Sequence, residues 1–346
     1  MRLVVIISFS ILCGQSWTDY LHSPIKWTVG LTNGYDNNVL KLSSVEKKDA
    51  ALEGDILGGA DTFDSHYARF SLSGLKKIQL ADRKKQIQFY AKGNISNYTQ
   101  NENRRYWSGN LKATYRWGSY RKLEYSIRHL NSYYIRHYID RDVSTDELAS
   151  CSFTDREQRI LVSYPIKRRL WTSGFVSYTQ RYFDKPFTEF DLDIVTTALK
   201  ISKKFRGFGT IAFEGKFGVA ENITFGKTAK ASDLDRSYKH FEWYIPVRYS
   251  QGIGVLDEVG ISLRLDIRLY GAETMGDPLH SGRSHEEVKW DIWGEKELSE
   301  NLTLKGSLRY RKRSTDSRYD WVSKLKTFDQ VQAWVILEWD MIYDRY

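Results

Sequence analysis

The sequence predicts an all-β fold, a closed antiparallel transmembrane β-barrel of about 14 strands within a range of about 12–16. Three observations predict it. Apolar and polar residues alternate with a period of two over long segments, short and long connections follow one another in turn, and the chain is rich in aromatic residues without any stretch apolar enough to form a spanning helix. The 346 residues are only 41% hydrophobic, which a strand-built wall explains because it is apolar at every second position. Tyr 23, Phe 16 and Trp 11 against Pro 5 and Met 3 favour strands over helices or disorder.

The clearest strand is the eleventh, where Val259, Ile261, Leu263, Leu265, Ile267 and Leu269 alternate without a break with Gly260, Ser262, Arg264, Asp266 and Arg268. Its length matches the roughly 9–11 residues that a tilted strand needs to cross a bilayer. The C-terminal strand repeats the design, with Val331, Ala333, Val335, Leu337, Trp339, Met341 and Tyr343 on one face. The other strands are read as a set, because each barrel segment is a weak signal alone. Trp27, Val29 and Leu31 mark the first, Phe70 and Leu72 the second, Ile87 and Phe89 the third, Leu111 and Tyr115 the fourth, Leu123 and Ile127 the fifth, and Ile160 and Val162 the sixth. The seventh, residues 170–179, has no clear register, and the eighth slips by one residue at Ile194-Val195, which predicts a bulge. Ile211 and Phe213 mark the ninth, Trp243 and Ile245 the tenth, Trp290 and Ile292 the twelfth, and Leu304 and Leu308 the thirteenth.

Short connections at residues 118–120, 167–169, 203–207 and 296–301 take turns with long polar ones at 36–65, 131–157, 220–237, 271–285 and 312–328. That rhythm predicts short periplasmic turns, long extracellular loops and both termini in the periplasm. A soluble sandwich or lipocalin-like barrel would also alternate. Uniformly long strands, Trp and Tyr near segment ends and full charges of both signs on the polar face favour the membrane barrel.

The N-terminus is laid out as a secretory signal: Arg2, an apolar stretch from Leu3 to Leu12, then Cys13-Gly14-Gln15-Ser16. Cleavage after Ser16 divides the chain into a signal peptide, 1–16, and a single barrel, 17–346, and predicts export to a bacterial outer membrane. Cys13 lies in the signal, so Cys151 remains as a single thiol, which excludes an internal disulfide and a cysteine-based zinc site. The net charge of +9 is interleaved with acidic residues and Tyr along the chain rather than gathered in patches, so nucleic acid is not an expected partner.

The opening run from Trp27 to Val39, the long amphipathic hairpins and the aromatic-rich final strand resemble uncharacterised porin-like outer-membrane β-barrel proteins. Gly34-Tyr35-Asp36-x-Asn38-Val39 is also similar to the opening of the barrel in surface-lipoprotein assembly modifiers, although the helical-repeat region that precedes that barrel is lacking. The resemblance implies outer-membrane lipids as surroundings and recognition by the barrel assembly machinery through a C-terminal aromatic residue. Tyr346 stands in that place, out of phase with the alternation that ends at Tyr343.

With the apolar set facing lipid, the pore-lining candidates are Lys112, Arg116, Arg128, Lys216, Arg248, Arg264, Asp266, Arg268, Lys289, Asp291, Lys305, Arg309 and Arg311, joined on the same register by Glu124, Glu214, Glu242 and Glu295. The basic excess predicts a porin-like channel that passes small hydrophilic, anionic solutes by passive diffusion. The alternative is that the charges pair and fill the lumen, giving a non-conducting barrel that serves as an anchor, assembly or export partner. Outer-membrane hydrolase chemistry would need Ser, His and an acidic or amide partner at one rim. His280-Ser281 with His285, Glu286 and Glu287, read as the loop before strand twelve, is the nearest group, and it supplies neither an oxyanion hole nor metal-ligand spacing. No catalytic residue, metal site or cofactor is predicted.

Overall fold

The computed structural model describes residues 23–50, 52, 54–80, 85–143, 147–227, 233–273 and 276–343. The predicted signal segment with its Cys13 and Ser16, and Tyr346, lie outside the described residues. Fourteen strands form one closed antiparallel barrel in sequence order: β1 (Ile25–Asp36), β2 (Ser65–Gln79), β3 (Gln86–Tyr98), β4 (Tyr106–Gly118), β5 (Arg121–Ile139), β6 (Leu148–Lys167), β7 (Leu170–Phe183), β8 (Leu192–Phe205), β9 (Gly209–Asn222), β10 (Tyr238–Tyr249), β11 (Glu258–Tyr270), β12 (Ser284–Ser299), β13 (Leu302–Asp316) and β14 (Phe328–Tyr343). β1 closes the ring on β14, from Ile25 opposite Tyr343 to Asp36 opposite Gln332. Closure leaves no strand edge unpaired, so every strand finds hydrogen-bond partners on both sides.

The alternation read from the sequence becomes two surfaces. Leu31, Phe70, Ile95, Leu111, Ile160, Val176, Leu199, Ile292, Leu308 and Val335 are exposed on the outer wall, while most of the residues that alternate with them are buried or half-buried inside. Trp107, Tyr164, Trp243, Trp290 and Trp339 add exposed aromatic rings to that wall. No helix among the described residues is long and apolar enough to cross a membrane.

Two sequence readings are corrected. β8 carries no bulge, since its register runs unbroken against both β7 and β9. The apparent slip arises because Leu192 and Ile194 turn inward and pack with Ala220 and Tyr238 in a small internal core, while Val195 and Leu199 keep the outward phase. The long polar connections at 131–157 and 312–328 are also shorter than predicted. β5 continues to Ile139 and β6 begins at Leu148, and β13 continues to Asp316, so these strands extend beyond their apolar bands with polar side chains.

Short turns gather at the end of the barrel where β1 begins and β14 ends, and the longer loops gather at the other. The first long loop, described at residues 37–50, 52 and 54–64, does not stand out from the barrel but folds over its mouth. It carries helix α1 (Ser44–Ala50) and a 3-10 turn at Gly54–Leu57. Leu40, Leu42, Ala50 and Leu57 pack on Tyr134 of β5, burying apolar area that anchors the loop. Gly58 has a positive φ of 65° there, and a Cβ would run into the His137 ring and the Tyr134 hydroxyl, so glycine is required. Helix α2 (Asp320–Lys326), in the last long loop, packs against α1 from the opposite side of the seam.

Candidate functional site

Residues 34–39 build the entrance to the infolded loop. Asp36 accepts hydrogen bonds from the Gln330 side chain at 2.8 and 2.9 Å and from Gln332 at 2.7 Å. Asn38 donates to the carbonyls of Leu42 and Asp329, each at 2.9 Å, and accepts from the Leu42 amide at 2.8 Å. Asn38 thereby fixes a tight turn in which Lys41 adopts a φ of 56° and faces the barrel interior. Arg104 holds the turn from the neighbouring loop, donating to the Val39 carbonyl at 2.7 Å and to the Tyr133 hydroxyl.

Helix α1 begins with a reciprocal cap. The Ser43 amide donates to Glu46 at 2.8 Å, and the Glu46 amide donates to the Ser43 hydroxyl at 3.2 Å. The other Glu46 carboxylate oxygen accepts from Arg136 at 2.8 Å in a pair that is almost wholly buried. One carboxylate thus caps the start of the helix and ties it to the wall.

Below and beside these loops lies a cavity of about 660 Å³. Ten Lys and Arg side chains line it against three carboxylates, Glu46, Asp49 and Glu189. Part of its wall is aromatic: Phe153, Phe183, Phe187 and Phe190 form a chain of ring contacts on the β6–β7 side. Arg181 bridges the two characters, paired with both Asp155 oxygens at 2.8 and 2.9 Å and stacked 4.2 Å above the Phe153 ring.

Burial holds the Lys41 ammonium well below the usual lysine range, with Arg311, Arg104 and Arg313 adding to the effect and Glu287 opposing it. Lys326 of α2 is lowered in the same way by burial and by Arg136, with Glu46 opposing and Arg283 and Arg313 adding. Arg236, also lining the cavity, is lowered by burial to about 10. A cavity that holds lysines below their usual range is short of negative charge.

The residues singled out by sequence occupy the polar register of the wall, and most are drawn into cross-strand ion pairs. Lys216 pairs with Glu242 at 2.8 Å and Glu214 at 3.2 Å, and Arg264 approaches Glu242 at 3.6 Å. Arg309 pairs with Asp291 at 2.5 Å, Lys305 with Glu338 at 3.0 Å and Glu295 at 3.4 Å, and Arg268 with Asp266 at 3.4 Å. Lys289 and Arg311 both reach Glu287, at 2.7 and 2.6 Å. Arg128 pairs with Glu157 at 3.1 Å and Arg248 with Glu258 at 3.1 Å, whereas Glu124 takes Lys122 at 2.9 Å. Lys112 lies over the Tyr90 ring at 5.4 Å, and Arg116 sits exposed near the short-turn end of β4. Of these candidates only Arg268 and Arg311 line the cavity at the mouth.

His285, Glu286 and Glu287 are not in a loop, as the sequence suggested, but on β12. The alternation separates them, with His285 and Glu287 buried and Glu286 exposed, so they do not converge. His285 hydrogen-bonds Thr315 at 2.8 Å, and His280 bonds Asp277 at 2.8 Å. Among the described residues the buried Ser281 hydroxyl has no hydrogen-bond partner, and the His280 ring is turned to Asp277 instead.

The residues that dominate the cavity, Lys41, Arg136, Arg283, Arg313 and Lys326, lay outside the sequence reading. Arg313 continues the Arg309-Arg311 alternation and was within reach of it. Arg136 was hidden by register shifts between Leu130 and Tyr133 and between Tyr134 and Arg136. Lys41, Arg283 and Lys326 belong to loops, where no period marks a face.

No protein-family model and no curated protein matches the chain. Among solved structures, the chain is similar to the outer membrane protein OpdK from Pseudomonas aeruginosa at 10% identity and a TM-score of 0.43, covering 92% of this chain and 99% of that one. It is similar to OccAB2 from Acinetobacter baumannii at 7% identity and a TM-score of 0.42, covering 93% and 98%. An anion-selective porin from Comamonas acidovorans follows at 10% identity and a TM-score of 0.41, covering 92% and 98%.

Proposed function

We propose that the chain is a bacterial outer-membrane channel of porin type that admits small hydrophilic solutes and prefers anions. The observation that carries this reading is the cavity of about 660 Å³ beneath an infolded loop, lined by ten basic side chains against three acidic ones. Fixed positive charge in a confined aqueous space concentrates anions and repels cations, and low-dielectric walls strengthen the field. The outward apolar wall and aromatic rings suit a bilayer, and the short-turn end, where β1 begins and β14 ends, suits the periplasmic side.

The cross-strand ion pairs favour a second reading, a barrel that conducts nothing and serves as an anchor or an export partner. Planar-bilayer recording of the purified, folded chain separates the two. The channel reading expects discrete current steps and, in a potassium chloride gradient, a reversal potential on the chloride side of zero. Silence from folded protein overturns the channel, and a reversal potential on the potassium side overturns the anion preference.

A further inference from the structure

Glu287 is shared by three cations: Lys289 at 2.7 Å, Arg311 at 2.6 Å and Arg313 at 2.8 Å. Arg283 stands nearby with no carboxylate partner among the described residues. It is only 6% exposed, lies 3.9 Å from the Tyr270 ring, and has a buried Nε that no acceptor meets. Lys41 and Lys326 likewise make no ion pair among the described residues, and both line the same cavity. Arg283 and Arg313 line that cavity as well, and the positive charge of Arg313 acts on both lysines, so the two groups of charge share one space.

Buried guanidinium groups left short of counter-charge are costly, and the cost falls when an anion supplies the missing acceptors. A guanidinium presents a planar fork of donors that matches two oxygens of one oxyanion, which a spherical halide cannot offer. The deficit on this wall is more than one charge, so one monovalent ion does not meet it. We infer that Arg283, Arg313, Lys41 and Lys326 form a saturable binding site for a multiply charged oxyanion, of phosphoryl or polycarboxylate type, at the long-loop mouth of the barrel. The site deepens the channel reading by naming the class of solute, and rests on the same cavity, but binding does not require that the barrel conduct.

The test is calorimetric titration of the full-length folded barrel in detergent with inorganic pyrophosphate, citrate and chloride. Saturable binding of pyrophosphate or citrate with none for chloride supports the site, and the tighter of the two identifies the phosphoryl or carboxylate source. Arg283→Gln and Lys326→Gln are each expected to weaken binding by about tenfold or more, and Arg283→Lys by less, because it keeps the charge and loses the fork. Folding of each variant is checked by its heat-dependent gel mobility, and Lys326→Gln, on a loop helix outside the wall, decides the matter if Arg283→Gln does not fold. Absence of saturable binding by both anions, or unchanged affinity in the folded glutamine variants, overturns the site. A barrel that binds pyrophosphate but carries no current loses the channel reading alone, and one that conducts but binds neither anion loses this site alone.

Discussion

His280 shows how the crowding of positive charge at the mouth acts on a single side chain. Burial holds its ring down to about 4, with Arg283 and Arg236 adding to the effect, although Asp277 at 2.8 Å pulls the other way. An unfolded loop carries histidine with a value near 6.5. Between those two values the open loop binds a proton that the closed loop does not, so closure is weakened as pH falls from about 6.5 toward about 4 and changes no further below that. Hydrogen exchange of residues 276–283 is expected to show the opening free energy falling by about 1.4 kcal/mol per pH unit through that range. In His280→Gln the same measurement should be nearly flat, and a wild-type profile independent of pH would contradict the reading.

At the scale of the element, helix α1 depends on one carboxylate with two duties, and substitution can separate them. Glu46→Gln retains an oxygen for the Ser43 amide but leaves Arg136 buried without its counter-charge, at a cost of about 3 kcal/mol or more. Glu46→Ala also removes the cap, adding about 1 kcal/mol. Proteolysis within residues 39–50 should therefore be fastest in Glu46→Ala, intermediate in Glu46→Gln and slowest in the native chain. Equal rates would mean that Leu40, Leu42, Ala50 and Leu57 hold the loop unaided.

The same element marks where the sequence was legible. β11, β13 and β14 are legible in the sequence because an apolar outer wall on one side and charge on the other impose a period of two on every residue. β8 was misread where Leu192 and Ile194 serve an inner core instead of the wall, so that apolarity no longer signalled the outward face. The loops follow no such rule, since their positions are set by tertiary contacts between segments far apart in sequence. Even so, Ser43 and Glu46 three residues later spell a capping box, the one local signal from which the infolded helix was available in advance.

For the whole molecule, the decisive property is that the barrel is turned inside out, with apolar residues outside and ion pairs within. A soluble barrel would tolerate a charge on its outer wall at any height, whereas a bilayer penalises it by depth. Leu308 lies near the middle of β13, exposed on the outer wall and opposite Ile292 of β12. Leu298, also exposed, lies at the short-turn end of β12. Leu308→Arg is expected to cost about 2–4 kcal/mol and Leu298→Arg about 0–1 kcal/mol when unfolding is followed by denaturant titration in lipid vesicles. The gradient between the two sites is the informative quantity, because a general defect in strand packing would lower both alike. Equal losses at the two heights would contradict insertion in the orientation that the belt of exposed apolar residues defines, and with it the reading of the basic cavity as a feature of a membrane channel.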